Sequence, residues 1–519
     1  MAKKLKTPYL LAVLILLTIA TARADSLDSL QWSAATFVNA GNGDFAPLYM
    51  AANRYGTLTQ GAGAYEALGL HKPMGHNGRF GFAFGVQAWF GASKETDYAR
   101  YSATEGWEGN NQRPAYAWLQ EAYAAVRWRS LFLEAGMRDY NRSIFSNATS
   151  SGDIVLGENA RGIPQARIGF ENFVNVPLTR GWLQIQGEIA YGKFADKNWL
   201  EGHYNRYNWY VTTGVWFHYK RLYLRSNPAQ PLSVTFGMQH AAQFGGSQQC
   251  YSKGVLTQTN ESKVKIKDFF DVFIPRRDGS GTQAGDKAYY NGNHLGSWDL
   301  QVRYRLPQGQ NITFYVQAPW EDGSGIGKLN GWDGVWGLRY ESAAATGWIT
   351  EASVEYIDFT NQSGPMHWAP GDYPGTGVPN EATGADDYYN NYFFNGWMNN
   401  GMGLGSPLVK APIYNTDGYM RFTDNRIRGF HVGIKGQPVA DWSWRLLTGY
   451  QRSLGTPFLP RLKAAHSYSL LLEAGHSFRK IPGLKAAAQV AMDAGSLFGH
   501  RYGVALSLTY TGSFSFAKK

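Results

Sequence analysis

Residues 502–516 alternate between two faces: Tyr502, Val504, Leu506, Leu508, Tyr510, Phe514 and Phe516 share one side, interrupted only by Gly512. The other side carries Gly503, Ala505, Ser507, Thr509, Thr511, Ser513 and Ser515. Successive side chains of a β-strand point to opposite faces, so the pattern predicts a ribbon with one oily and one small, polar face. Aromatic residues at both ends of the oily stripe suit a strand that crosses a bilayer, where amphipathic rings settle at the two interfaces.

A single strand in lipid would leave its backbone groups unpaired, so similar stripes must recur. They do. Phe80 to Phe90, Ala122 to Trp128, Leu131 to Ala135, Leu183 to Tyr191, Trp209 to Tyr219, Leu232 to Met238, Trp298 to Tyr304 and Ile312 to Ala318 all alternate. So do Trp336 to Tyr340, Trp348 to Tyr356, Phe430 to Ile434, Trp442 to Tyr450, Tyr468 to Ala474 and Leu484 to Met492. With weaker runs at 31–38 and 64–70, the count is roughly sixteen to eighteen strands, within the range of single-chain barrels. Opposite the stripes stand Gln184, Gln186 and Glu188; Asp299, Gln301, Arg303 and Arg305; and Glu351, Ser353 and Glu355. Charges in mid-strand are expected to point into a wet or plugged lumen.

The fold class expected is therefore all-β: a transmembrane antiparallel β-barrel with long extracellular or inward-folded loops. Three stretches, 141–180, 245–296 and 361–424, break the hairpin rhythm and are expected to be those loops, where function concentrates. A secreted soluble propeller would also alternate, but no repeat period is present.

Composition agrees. Charged residues make up 17% of the chain, below the roughly 25% of soluble domains. Aromatics reach 15% and glycine numbers 61. A mean hydropathy of -0.36 excludes a helical membrane protein and suits strands shared between lipid and water.

At the N-terminus, Lys3, Lys4 and Lys6 precede the apolar run Leu10 to Ala20, followed by Thr21-Ala22-Arg23-Ala24. This predicts a secretory signal peptide over 1–24, cleaved after an Ala-x-Ala motif, with the barrel occupying 25–519. The apolar run is shorter than the roughly 18 residues of a spanning helix. Loss of the leader with Lys3, Lys4, Lys6 and Arg23 takes the formal charge of +10 to +6, only a mild preference for polyanions. Cys250 is the only cysteine, so neither an intramolecular disulfide nor a lipid-bearing cysteine after the leader is expected.

A carbohydrate site needs flat rings for sugar faces and amides, carboxylates or guanidinium groups for hydroxyls. Tyr388, Tyr389, Asn390, Asn391 and Trp397 bring such groups within ten residues, just after Asp386 and Asp387. Two readings stay open: the rings recognise sugar, or they pack the loop against the barrel. Arg276-Arg277 could clamp an acidic group or stand solvated. No Gly-x-Ser-x-Gly elbow and no His-Glu-x-x-His motif is present, and the eleven histidines show no metal-ligand spacing. No catalytic residue, metal site or cofactor is expected, and nucleic-acid binding has no support beyond the modest charge.

Three blocks resemble the capsule assembly protein Wzi family of outer-membrane barrels. The first runs Ala46-Pro47-Leu48-Tyr49-Met50-Ala51-Ala52-Asn53-Arg54-Tyr55-Gly56. The second runs from Gly157-Glu158-Asn159-Ala160-Arg161-Gly162 through Arg167 to Gly169, with Gly181-Trp182 and Tyr191-Gly192-Lys193-Phe194 beyond it. The third runs from Gly384 to Tyr388, then Asn395-Gly396-Trp397, Gly405-Ser406-Pro407-Leu408, Asp417-Gly418-Tyr419 and Asn425-Arg426. The resemblance spans nearly the whole mature chain. It implies an eighteen-stranded barrel, closed toward the periplasm, in the outer membrane of a Gram-negative bacterium. It also implies a lectin that holds capsular or other surface polysaccharide, with outer-membrane lipid and lipopolysaccharide as its surroundings. Within the blocks, Arg161 and Arg167 could contact sugar or anion, or could pair with inward acids such as Glu188. A porin or oligosaccharide channel is the first rival reading, and a lipid- or glycan-modifying enzyme the second.

Overall fold

The last strand pairs antiparallel with the first, Tyr502 side by side with the start of the loop after Gly41 and Ser513 opposite Gln31, and this closes the sheet on itself. The computed structural model describes residues 30–75, 78–145, 148–275, 292–364 and 386–514. The expected leader, Arg276-Arg277 and Phe516 lie outside those residues.

In chain order the strands begin with β1 (Gln31–Gly41), β2 (Gly63–Lys72), β3 (Phe80–Ser93), β4 (Thr96–Ser102), β5 (Gly106–Gln112), β6 (Ala117–Trp128), β7 (Leu131–Met137), β8 (Gln165–Asn175) and β9 (Leu183–Lys193). There follow β10 (Trp209–Thr213), β11 (Trp216–Ser226), β12 (Leu232–Phe244), β13 (Gly246–Ser252), β14 (Val255–Ser262), β15 (Asn293–Arg305), β16 (Asn311–Trp320), β17 (Gly334–Glu341) and β18 (Gly347–Asp358). The rest are β19 (Met398–Asn399), β20 (Met402–Gly403), β21 (Ile427–Val439), β22 (Trp442–Gly455), β23 (Pro460–Ser477), β24 (Leu484–Gly495) and β25 (Arg501–Ser513).

Among the described residues, eighteen of these form the wall, each hydrogen-bonded antiparallel to its sequence neighbours in the ring. Closure leaves no wall strand with an unpaired edge, the condition for crossing lipid. The remaining strands stand apart as the hairpins β4–β5 and β19–β20 and the three-stranded sheet β10–β13–β14. Among the described residues, one end of the barrel carries only short turns, such as 129–130, 306–310 and 440–441; the other carries long segments, including 148–164, 194–215, 245–275 and 386–426. Short turns face the periplasm and long loops the exterior in barrels of this type.

The outward face is apolar and exposed. On β25, Tyr502, Val504, Leu506 and Leu508 are exposed while Gly503 and Ala505 between them are buried. Rings gather near both rims: Phe80, Trp128, Trp182, Tyr304, Trp348 and Trp442 at the short-turn end, and Phe90, Phe430, Tyr468 and Tyr502 at the other. An apolar band of this extent bounded by rings is a lipid-facing surface.

The lumen is filled from the long-loop end. Thr149 donates its hydroxyl to Glu351 of β18 at 2.6 Å, and the Ser151 amide donates to Glu355 at 2.8 Å. The Ile154 amide donates to Gln317 of β16, and Gln239 of β12 donates to Asp153. Glu351 and Glu355, two of the predicted inward charges, are thus anchors of an inward-folded loop, and their burial is compensated by hydrogen bonds. Tyr49, in the short buried helix Leu48–Ala51, meets His431 Nδ1 at 2.7 Å, and His431 Nε2 lies 2.9 Å from the Thr149 carbonyl. A carbonyl can only accept, so Nε2 carries the proton and Nδ1 accepts from the Tyr49 hydroxyl. Gly433 makes room for this segment, because a Cβ there would run into the Thr149 backbone.

Two expectations are corrected. The stretch 141–180 holds a wall strand, β8, whose outward Ile168 is exposed and whose inward Arg167 is buried. The stripe from Trp209 to Tyr219 is not one strand: the chain breaks at Gly214, which has φ of +72°. Phe217 and Tyr219 then face inward at zero exposure, and Leu222 and Leu224 face lipid. Rings that pack a plug and rings that face lipid alternate alike.

Candidate functional site

The long-loop end carries a pocket of about 590 Å³ assembled from distant segments. Trp209 opens β10 with φ of +84°, a left-handed conformation for a bulky side chain, and stays half exposed. Its ring stacks on Tyr210 with centroids 5.6 Å apart. The Arg421 guanidinium lies 5.3 Å from the Trp209 ring centroid, close enough for a cation–π contact. Tyr392, Phe458 and Leu459 add exposed apolar surface to the same pocket.

Between these rings stand Asp386, Asp387, Glu321 and Asp322, with the amides of Asn293, Asn390 and Asn391. Asn390 donates to the Phe422 carbonyl and accepts from the Phe422 amide, both at 2.9 Å. The Asn391 carboxamide oxygen accepts from the Phe393 and Phe394 amides, an Asx-type turn. These two amides therefore shape the pocket, with little hydrogen-bonding capacity left over. Asp387 accepts from Asn425 at 2.5 Å, Asp386 accepts from the Ser363 hydroxyl, and Glu321 accepts from the Tyr389 amide at 3.1 Å. Arg421 keeps its Nε buried without a hydrogen bond.

Burial pushes the Asp386 carboxyl up to about 7, and neighbouring Asp322 adds to the rise. Burial also raises Asp387, and lifts Glu321 well above the usual range with help from Asp386 and Asp387. Asp386, Asp387 and Glu321, desolvated and close to further carboxylates, hold their protons to higher pH than exposed acids do.

Of the residues singled out in the sequence, Asn390 and Asn391 line this pocket. Tyr388, Tyr389 and Trp397 belong to the plug instead, each almost wholly buried. The Tyr388 hydroxyl donates to Asp333, Tyr389 donates to the Ile154 carbonyl, and the Trp397 indole donates to the Val155 carbonyl. Buried rings take the hydrogen-bond partners that they need, and these leave no face for a sugar. Arg167 lies in the wall, 2.7 Å from Glu134 and 2.8 Å from Glu188, and is 2% exposed. Arg161 sits inside, its guanidinium 5.2 Å from the Trp118 ring centroid, and burial lowers it to about 10. Trp209 reads in the sequence only as the start of a wall stripe, and Arg421 and Phe458 carry no mark, because their meeting depends on loops far apart in the chain. Among the described residues no group of acids, histidines or cysteines has the arrangement of a metal site.

No protein-family model matches the chain, and no curated protein matches it. Solved structures do. Wzi from Escherichia coli, an outer membrane protein involved in group 1 capsule assembly and a carbohydrate-binding β-barrel, is similar with a TM-score of 0.53 at 12% identity. The match covers 99% of this chain and 90% of Wzi. OccK3 of Pseudomonas aeruginosa is similar at 10% identity with a TM-score of 0.44, over 94% of this chain and 97% of that one. OccAB4 of Acinetobacter baumannii has the same identity and score, over 94% and 98%. At such identities the likeness shows the fold, that of an eighteen-stranded outer-membrane barrel like Wzi.

Proposed function

We propose that this chain holds a surface or capsular polysaccharide in its long-loop pocket and helps to anchor or assemble a capsule, acting by binding and not by turnover. The observation that carries the reading is the pocket itself: exposed Trp209, Tyr392 and Phe458 around Arg421 and a set of carboxylates, at the end of a barrel whose lumen is filled. Rings supply faces for sugar stacking, and the polar groups select hydroxyls. The filled lumen favours binding over passage. The fold shared with Wzi, a carbohydrate-binding barrel, supports the same reading.

The test is glycan-array binding by the purified, detergent-solubilised barrel and by Trp209→Ala and Phe458→Ala variants. Loss of a stacked ring should weaken binding by about tenfold or more. Equal binding by wild type and both variants would move recognition away from this pocket. A deletion strain that kept its capsule as firmly attached as wild type would remove the cellular role.

A further inference from the structure

We infer that the short-turn end of the lumen carries a second site, an oxyanion pocket that takes a carboxylate- or phosphate-bearing sugar unit. A cavity of about 400 Å³ opens there, beneath the inward-folded segment 140–144. Its lining includes Arg142, Arg221, Arg225, Arg303 and Arg339 against one carboxylate, Glu341. The volume falls within the range of small-molecule sites.

The charges are not balanced by their surroundings. Arg225 donates to the neutral amide of Gln184 at 3.0 and 2.7 Å, and Arg303 donates to the Pro228 carbonyl at 2.5 Å. Arg142 and Arg221 approach one oxygen of Glu188 at 3.6 and 3.8 Å, while Arg167 occupies the other. Only Arg339 has an acid to itself, Glu341 at 3.4 Å. Neutral partners satisfy hydrogen-bond geometry but leave the charge uncompensated.

Donors are also left over. Arg221 is 4% exposed, yet one terminal nitrogen makes no hydrogen bond and its Nε meets only the shared Glu188 oxygen at 3.8 Å. The Nε atoms of Arg303 and Arg339 are buried and likewise unbonded, as is the hydroxyl of Thr313 beside them. Buried guanidinium donors without partners are costly, and an oxyanion that accepts two parallel N–H bonds relieves that cost. Several such forks around one cavity define a site for an acidic group on a sugar-sized ligand. The pocket lies at the opposite end of the barrel from the long-loop site and stands or falls separately from it.

The experiment is ligand-detected NMR on the solubilised barrel at low ionic strength, with glucuronate, glucose 1-phosphate and glucose as probes. Glucuronate, glucose 1-phosphate or both should bind while glucose does not, and added salt should weaken the contact. A preference between the two anions identifies the carboxylate or the phosphate as the source. The Arg303→Gln/Arg339→Gln variant, changed at partly exposed positions, should lose about tenfold or more in affinity, and Lys197→Gln, an exposed cation outside both pockets, should not. Heat-modifiable migration checks that each variant is folded. Absence of binding by both anions, binding of glucose as strong as theirs, or equal binding by the double variant would overturn the site. Binding of neutral glycans at the long-loop end would be untouched by any of these results.

Discussion

The Trp397 indole N–H donates to the Val155 carbonyl at 2.8 Å, joining two loops that are 242 residues apart in the chain. Trp397 is fully buried, and the Tyr389 hydroxyl donates to the neighbouring Ile154 carbonyl of the plug at 2.7 Å. Replacing Trp397 with Phe keeps most of the packing and should cost the plug about 1 kcal/mol. Trp397→Ala should cost about 3–5 kcal/mol and expose the 386–425 segment to protease. The barrel wall, held by its own hydrogen bonds, should keep its heat-modifiable migration in both variants. Equal protease resistance in Trp397→Ala and wild type would show that this ring does not hold the plug.

Gly433 sets how close the plug comes to the wall. A Cβ there meets the backbone of Thr149, whose hydroxyl and carbonyl are fixed by Glu351 and His431. In planar bilayers the wild-type barrel should pass almost no current, because the lumen is occupied. Gly433→Val should displace the 149–151 segment and raise conductance. A wild-type conductance like that of an open pore would favour a channel over a polysaccharide holder.

Glu188 accepts from Arg167 and lies within 4 Å of Arg142 and Arg221. Glu188→Gln leaves three guanidinium groups around a neutral amide, so the expected cost is about 3–5 kcal/mol. Urea-induced unfolding from lipid vesicles should shift accordingly. A midpoint within error of wild type would mean that the remaining acid, Glu134, suffices for all three.

The wall was largely legible in the chain, because lipid imposes a strict two-residue period on whatever faces it. Leu222, Leu338 and Val490 all stand exposed on that face. Legibility failed where the inward face met protein instead of water. Phe217 and Tyr219 pack against the plug, so the inward side of β11 reads as oily as its outward side. In β8, Gly169 and Phe170 blur the alternation around Arg167. The local block after Asp387 reaches the long-loop pocket through Asn390 and Asn391, yet its largest ring, Trp397, belongs to the plug. The pocket's own rings come from a strained strand start and a short loop: the alternation around Trp209 reads as wall strand, and nothing local marks Phe458.

The acids at the rim of the long-loop pocket predict how it responds to pH. Asp386 has its carboxyl at about 7 in the fold, against 3.8 for an ordinary aspartate, with burial as the main cause. Between those two values the closed rim binds more protons than the opened chain does. Its stability must then fall as pH rises through that window and level off on either side. Asp387 and Glu321 shift in the same direction and add to the slope. Protease cleavage within 386–425, corrected for the enzyme's own pH profile, should therefore rise from about pH 4 to about pH 7. Asp386→Asn cannot ionise and can still accept from the Ser363 hydroxyl, so it should flatten much of the rise while leaving the rim closed. A cleavage rate that fell across that range, or a variant with the full wild-type slope, would show that Asp386 is ionised in the closed pocket and that burial there is offset by the groups around it.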